Sequence, residues 1–330
     1  MKGKVCVFGS FNLDVVAVMN RFPMPGESLT AHTSMMGPGG KGANQATAAL
    51  RAGARVHYIG KIGNDDFGMF ARRHLEKTGF DAITLFTCKE KPTGNALIYV
   101  AGDDAENMIS VYPGANTTVT AAEVTRCQPT VAAADILLVQ LENNLSAIQR
   151  MIDNARAGGT FVIMNPAPWQ KVTDALLAKV DLLTPNSTEA MQLTGVKVTD
   201  FASAQQAAEK LHRKGARQVI ITLGVSGALL SVAEQPPLRI PLFPAQPLDT
   251  TGAGDAFNGA LAARLASGDE LPQAALFASA YASLCVERSG AAHSMPSYAE
   301  ALARLQAYPE CVPEALGELV EVVRLLARSP

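Results

Sequence analysis

The chain has 330 residues, 48% of them apolar, and a formal net charge of −2. That length holds one large α/β domain or two small ones, and that apolar share supplies a sizeable core. The near-neutral charge, with no basic cluster interleaved with aromatics, speaks against nucleic acid and acidic membrane surfaces as partners.

The N-terminus runs straight into a strand pattern over residues 5–8, and nowhere do 18 apolar residues follow one another, so a soluble, cytoplasmic protein is expected. Cys6, Cys88, Cys127, Cys285 and Cys311 form no Cys-x-x-Cys and read as reduced thiols, while the scattered histidines read as structural or surface residues. After the first strand comes Ser10-Phe11-Asn12-Leu13-Asp14, where an extended backbone puts Asn12 and Asp14 on one side. Such a pair suits the hydroxyls of a polyol, or it closes the strand as an Asx turn. Residues 15–36 and 95–112 alternate in strand fashion with no helix between paired runs. They predict a small antiparallel sheet acting as a flap, or else an antiparallel edge of the main sheet.

Gly37-Pro38-Gly39-Gly40-Lys41-Gly42-Ala43-Asn44-Gln45 contains G-x-G-x-x-G, which in a dehydrogenase would bind a dinucleotide. That assignment needs a buried strand before it and an acidic residue ending the next strand. The preceding stretch is half polar and the next strand ends Ile59-Gly60-Lys61, so both conditions fail. Nor is it a Walker A loop, because Gly42 stands where Ser or Thr is required. It reads as backbone approaching a polyhydroxylated ligand, with Lys41 and Asn44 bonding hydroxyls, or as a structural glycine turn.

Strand patterns at 56–59, 136–141, 161–164, 182–184 and 219–223 then alternate with helical patterns at 42–51, 67–77, 145–157, 187–194 and 204–214. This rhythm predicts a parallel sheet covered on both faces, with ligands at the carboxyl ends of its strands. In Pro185-Asn186-Ser187-Thr188-Glu189 the spacing of Asn186 and Glu189 is that of a capping box. The same spacing would offer both side chains to a hydrated Mg²⁺. Thr222-Leu223-Gly224-Val225-Ser226-Gly227 is a glycine turn suited to a nucleotide.

In Asp249-Thr250-Thr251-Gly252-Ala253-Gly254-Asp255-Ala256-Phe257-Asn258-Gly259, two carboxylates flank a glycine-rich turn that enters a helical pattern over 256–265. Amides of residues 252–255 converging on the helix start would receive an anion. A carboxylate beside them could take the proton of an alcohol during phosphoryl transfer. The alternative is an ordinary helix cap, with Asp255 bonding its own first turn. Past Pro309 and Pro313, Leu316, Leu319, Val320, Val323 and Leu326 recur at helical spacing. They predict an amphipathic helix docked on the body, or a dimer contact. No linker is visible, so a single domain over 1–307 with lid segments about 15–36 and 95–112 is expected, followed by a 308–330 helical extension.

Taken together and in this order, these motifs resemble the ribokinase branch of the PfkB carbohydrate-kinase family from about Val5 to Pro296. The most specific parts are Gly39-Gly40-Lys41-Gly42-Ala43-Asn44-Gln45-Ala46 and the turn from Asp249 to Gly259. Asn165-Pro166-Ala167-Pro168, Pro113-Gly114-Ala115-Asn116 and Pro185–Glu189 support them. The resemblance implies a three-layer α/β/α ribokinase-like fold with a mostly parallel central sheet and a small β-sheet lid that also builds a homodimer. It implies ATP-dependent phosphorylation of a primary hydroxyl, with Asp255 as general base and Gly252, Ala253 and Gly254 in the anion hole.

By position it further implies that Asn12, Asp14, Gly39, Gly40, Lys41, Asn44 and Glu142 contact the sugar. Asn186, Thr222, Gly224, Gly227, Gly254 and Ser279 would line the nucleotide site, and Glu189 would organise Mg²⁺. Asp249, Thr251, Cys285, Arg288, Gly290 and Ser294 would surround an activating K⁺, several of them through backbone carbonyls. D-ribose, phosphorylated to D-ribose 5-phosphate, is the expected substrate. Asn12 suits a 2-hydroxyl, and Glu142 in Gln140-Leu141-Glu142 matches ribokinases. The alternative is 2-deoxyribose, a ketohexose or a nucleoside, with Ala96 and Ile109 on the lid shaping specificity. A non-catalytic sugar sensor on the same fold would be expected to lack the base, yet Asp255 is present.

Overall fold

The computed structural model describes residues 2–102 and 106–315. The chain opens with β1 (Lys4–Phe8), leaves it for β2 (Asn12–Met19) and β3 (Thr33–Gly39), then enters α1 (Lys41–Arg51) and β4 (Arg55–Gly63). α2 (Asp66–Thr78) leads to β5 (Ala82–Cys88), and β6 (Gly94–Ala101) and β7 (Glu106–Tyr112) pair with each other. Then follow α3 (Ala121–Ala132), β8 (Ile136–Val139), α4 (Leu145–Gly158), β9 (Phe161–Met164), α5 (Asp174–Leu177) and β10 (Leu182–Leu183). α6 (Ser187–Thr194) and α7 (Phe201–Arg213) precede β11 (Gln218–Thr222), β12 (Ala228–Val232) and β13 (Leu238–Ile240). α8 (Ala253–Ala266), α9 (Leu271–Cys285), α10 (Tyr298–Ala307) and the two-residue β14 (Glu314–Ala315) complete it.

The main sheet has ten strands in the order β14-β13-β12-β11-β10-β9-β8-β1-β4-β5. It is parallel from β5 to β11 and antiparallel over β11, β12, β13 and β14. Its alternation is legible in β1. Val5 and Val7 face the core shared with α1, α8 and α9, while Cys6 and Phe8 face the core shared with α3, α4 and α7. The three-layer expectation therefore holds. α8 is apolar nearly all round because it is a central helix, buried from Asp255 to Ala263. It crosses α1 so closely that a Cβ on Gly259 would fall 2.3 Å from the Gln45 carbonyl oxygen.

The second sheet has four strands in the order β3-β2-β6-β7. It corrects the expected antiparallel lid in one respect: its central pair, β2 and β6, runs parallel. The reason is that β6 enters from the main sheet in the same sense as β2, leaving only the flanking pairs to run antiparallel. Asn12 and Asp14 therefore belong to the first lid strand and sit on one face of it, at alternate positions.

The helical extension expected over 308–330 needs revision where it is described. Residues 308–315 contain no helix, and β14 pairs with β13, so the main sheet continues through Ala315. The predicted apolar stripe from Leu316 lies outside the described residues. Among the described residues no helix is long and apolar enough to cross a membrane.

Candidate active site

α8 begins at Gly252, whose φ of 80° is left-handed and free of cost only for glycine, and no side chain caps it. Asp255 stands in the first turn but does not bond that turn. Its carboxylate, 6% exposed, accepts Asn44 Nδ2 at 3.0 Å and Gln45 Nε2 at 2.9 Å, both from α1. An ordinary cap is thereby ruled out. The Ala253 N–H bonds the Thr250 carbonyl at 3.2 Å, which takes it out of the expected anion hole, so the amides left at the helix start are those of Gly252, Gly254 and Asp255.

Around this carboxylate the ends of β1, β2, β3 and β8 converge. Glu142 accepts the Ser10 hydroxyl and, at 2.9 Å, the Lys41 backbone N–H. Gly40, at φ 90°, lets the chain turn from β3 into α1, where its backbone passes against Phe11 and Asn12. A Cβ on Gly39 would fall 2.2 Å from an Asp14 carboxylate oxygen, so glycine there leaves room for that acid. Asn12 Oδ1 accepts Asn116 Nδ2 at 2.9 Å, and Asn116 also brackets Phe11 through that residue's N–H and C=O. Asn44 Oδ1, fully buried, finds no donor among the described residues.

Asp255, Glu142 and Glu189 act on the Lys41 ammonium, Asp14 stands near Glu142 and Asp255, and the charges respond. Burial, then the charges of Glu142 and Asp255, push the Asp14 carboxyl up to about 7. Burial also raises Glu142, against the bond from Ser10 and the charge of Lys41. Burial works against the Lys41 ammonium, but Asp255, Glu142 and Glu189 together outweigh it and raise its pKa.

Beyond the start of α8 opens a cleft of about 990 Å³. Five of the expected nucleotide residues lie along its wall with Gly254: Asn186, Thr222, Gly224, Gly227 and Ser279. The Ser279 hydroxyl donates to the Pro241 carbonyl at 2.5 Å. A smaller hollow of about 490 Å³, lined by Glu287, Arg304 and Tyr308 among others, holds none of the expected site residues. Asn186 and Glu189 form a full capping box: Glu189 N–H donates to Asn186 Oδ1 and Asn186 N–H to Glu189 Oε2, each at 2.8 Å. Burial lifts the Glu189 carboxyl above its ordinary range, against the Asn186 backbone bond and the Lys41 charge.

On the far side of the turn, Asp249 accepts Thr251 N–H at 2.9 Å and Gly290 N–H at 2.8 Å. Burial alone would raise its carboxyl, but these amide bonds outweigh it and hold the group below the usual range. Cys285 Sγ and Ser294 Oγ lie 2.9 Å apart beside it. The Arg288 guanidinium pairs instead with Glu300, which leaves only its backbone for this loop. Of the two lid positions, Ala96 pairs in register with Asp14 and is buried, whereas Ile109 is exposed. Among the described residues no cluster of three His, Cys, Asp or Glu could hold a metal ion.

Sequence reasoning passed over three residues that build this site: Ser10, Gln45 and Asn116. All lie inside motifs it used, and each acts on another side chain at least 100 positions away. Only the packing of strand ends and of α1 against α8 reveals such partners.

A family profile described as pfkB family carbohydrate kinase matches residues 2–298. Ribokinase of Haemophilus influenzae is 39% identical across 93% of this chain and 99% of its own length. Deoxyribokinase of Salmonella typhimurium is 32% identical across 89% of this chain and 95% of its own. The structure of Arabidopsis thaliana ribokinase complexed with ribose and ATP superposes with a TM-score of 0.85 at 31% identity, covering 93% of this chain and 99% of that one.

Proposed function

The chain belongs to the pfkB family of carbohydrate kinases, phosphotransferases with an alcohol as acceptor, and from that premise we propose that it transfers the γ-phosphoryl group of ATP to O5 of D-ribose. One observation carries the reading. The Asp255 carboxylate is turned away from its own helix toward the Asn12, Asp14, Asn44 and Glu142 cluster, while the same helix start opens on the nucleotide cleft. Asp14 accepts two sugar hydroxyls, and Asn44 Oδ1 accepts a third. Asn12, its oxygen held by Asn116, has its amide N–H left for a 2-hydroxyl, which favours ribose over the deoxy sugar.

Asp255 takes the proton of the 5-hydroxyl as its oxygen attacks in line, and the Gly254 and Asp255 amides meet the charge on the transferring group. The oxygens of Glu189 and Asn186 fit a Mg²⁺ reached through water, since each carboxylate oxygen keeps a lone pair beyond its cap bond. Such an ion would neutralise the phosphate charge. Backbone carbonyls near Asp249, with Thr251, Cys285, Gly290 and Ser294, suit a monovalent cation such as K⁺. An ADP-release assay over ribose, 2-deoxyribose, fructose and a nucleoside, in K⁺ and in Na⁺ buffers, tests both points. Ribose is expected to give the highest kcat/KM, and turnover to fall when Na⁺ replaces K⁺. A preference for another acceptor defeats the ribose reading, and indifference to the ion defeats the cation site.

A homodimer through the lid fits the apolar side chains that this sheet leaves bare, Leu97, Tyr99, Met108, Ile109, Val111 and Tyr112. Sedimentation should give a dimer for the native chain and a monomer for Ile109→Lys. A native monomer at micromolar concentration would remove the proposal.

A further inference from the structure

The base assigned above is held by a buried amide whose hydrogen bonds leave it a single orientation. Gln45 is 0% exposed. Its Nε2 donates to Asp255 Oδ1 at 2.9 Å and to Asn165 Oδ1 at 3.1 Å, so both hydrogens are spent on oxygens. Its Oε1 accepts Gln140 Nε2 at 2.7 Å. Turning the amide over would aim its oxygen at a carboxylate and a carbonyl oxygen, and its NH₂ at another NH₂. The chain of bonds does not stop there. Asn165 Nδ2 donates to the Thr184 carbonyl at 2.9 Å, the Thr184 hydroxyl to Asn258 Oδ1 at 2.5 Å, and Asn258 Nδ2 to the Gly254 carbonyl at 2.8 Å. The circuit that leaves Asp255 returns to the residue before it, and every side chain in it is buried.

We propose that Gln45 is a positioning residue for phosphoryl transfer: it fixes the Asp255 carboxylate through a closed circuit running by Asn165, Thr184 and Asn258 to Gly254. The inference rests on Asp255 being the base. The circuit passes through the ends of β9 and β10 and the first turn of α8, so it ties the orientation of the acid to the helix start that receives the phosphate. Asn44 holds the other carboxylate oxygen from inside the sugar cluster, whereas all of Gln45's polar atoms are committed to the protein. Gln45 therefore acts on turnover and not on sugar affinity.

Gln45→Met keeps the length of the side chain and removes both donors. Steady-state kinetics with D-ribose and ATP are expected to show kcat lowered at least ~10-fold while KM for ribose stays within ~3-fold, as for loss of an interaction used in the transition state. In an Asp255→Asn background the same substitution is expected to cost nothing further, because its effect runs through the carboxylate. Near-native kcat in a folded Gln45→Met enzyme overturns the inference, as does a rise in ribose KM that accounts for the whole loss. An additive further loss in the double variant also overturns it. Should Gln45→Met fail to fold, Gln140→Leu replaces it. That variant removes the donor that fixes the Gln45 amide, and unchanged kcat there counts against the circuit. If Asp255→Asn alone keeps its turnover, the base assignment falls and this inference with it. If Asp255→Asn is inactive while Gln45→Met is not, only the inference falls.

Discussion

Asp255→Asn is expected to lower kcat by at least ~10²-fold, and by as much as ~10⁴-fold, the usual contribution of a positioned general base. The amide is close to the carboxylate in shape, but it cannot take the proton from the attacking hydroxyl. It also turns one of two acceptors into a donor, facing either Asn44 Nδ2 or Gln45 Nε2 at about hydrogen-bond distance. That mismatch sits at the contact of α1 and α8, so the thermal transition should be measured beside the kinetics. A cooperative, near-native melt with lost turnover supports the assigned role. Retained turnover would mean that another group takes the proton.

Asp14→Ala is expected to act on binding. Two hydrogen bonds from sugar hydroxyls to a carboxylate are worth about 1.5–3 kcal/mol each, so their loss should raise KM for ribose at least ~10²-fold with a much smaller change in kcat. The same residue predicts a pH dependence. The carboxyl titrates near 7 without sugar, because burial and the neighbouring Glu142 and Asp255 charges disfavour its ionised form. Below that pH Asp14 carries a proton that must leave before the group can accept two hydroxyls. Ribose affinity should then weaken as pH falls from about 8 to about 5.5, by up to tenfold for each unit below about 7. Asp14→Asn, which has nothing to titrate there, should bind weakly and with a flat profile over the same range. Calorimetric titration without nucleotide reads both effects. A native profile as flat as the variant's would show that Asp14 does not govern sugar binding.

Much of the fold was legible because βαβ rhythm leaves local marks. β9 and α6 fall at the predicted residues, and most other predicted elements differ at their ends by one to three. α3 and α10 escaped although a capping box opens each of them, but other elements had no such marks. α9 is buried on nearly every side and lacks the polar face that makes a helix readable, and β13 is only three residues long. Strand direction in the lid escaped as well, since alternation fixes which face is buried and not which way a strand runs.

The site divides along the same line. The Asp255 turn and the Gly39–Asn44 stretch announce themselves through glycines with definite tasks. Whether Asp255 capped its own helix or reached across was undecidable from its neighbours in sequence, because the deciding partners lie 210 and 211 positions away. Glu189 shows the converse, for its capping box is complete and explains its spacing without any ion.

The near-touching of α1 and α8 at Gly259 bears on how the enzyme can move during its cycle. The two helices that carry the acid and its amide clasps meet with no room even for a methyl group between them, so neither can press closer to the other without displacing backbone. Any widening of the proposed sugar site is then expected on its other side, at the separate four-stranded sheet of β3, β2, β6 and β7 that carries Asn12 and Asp14.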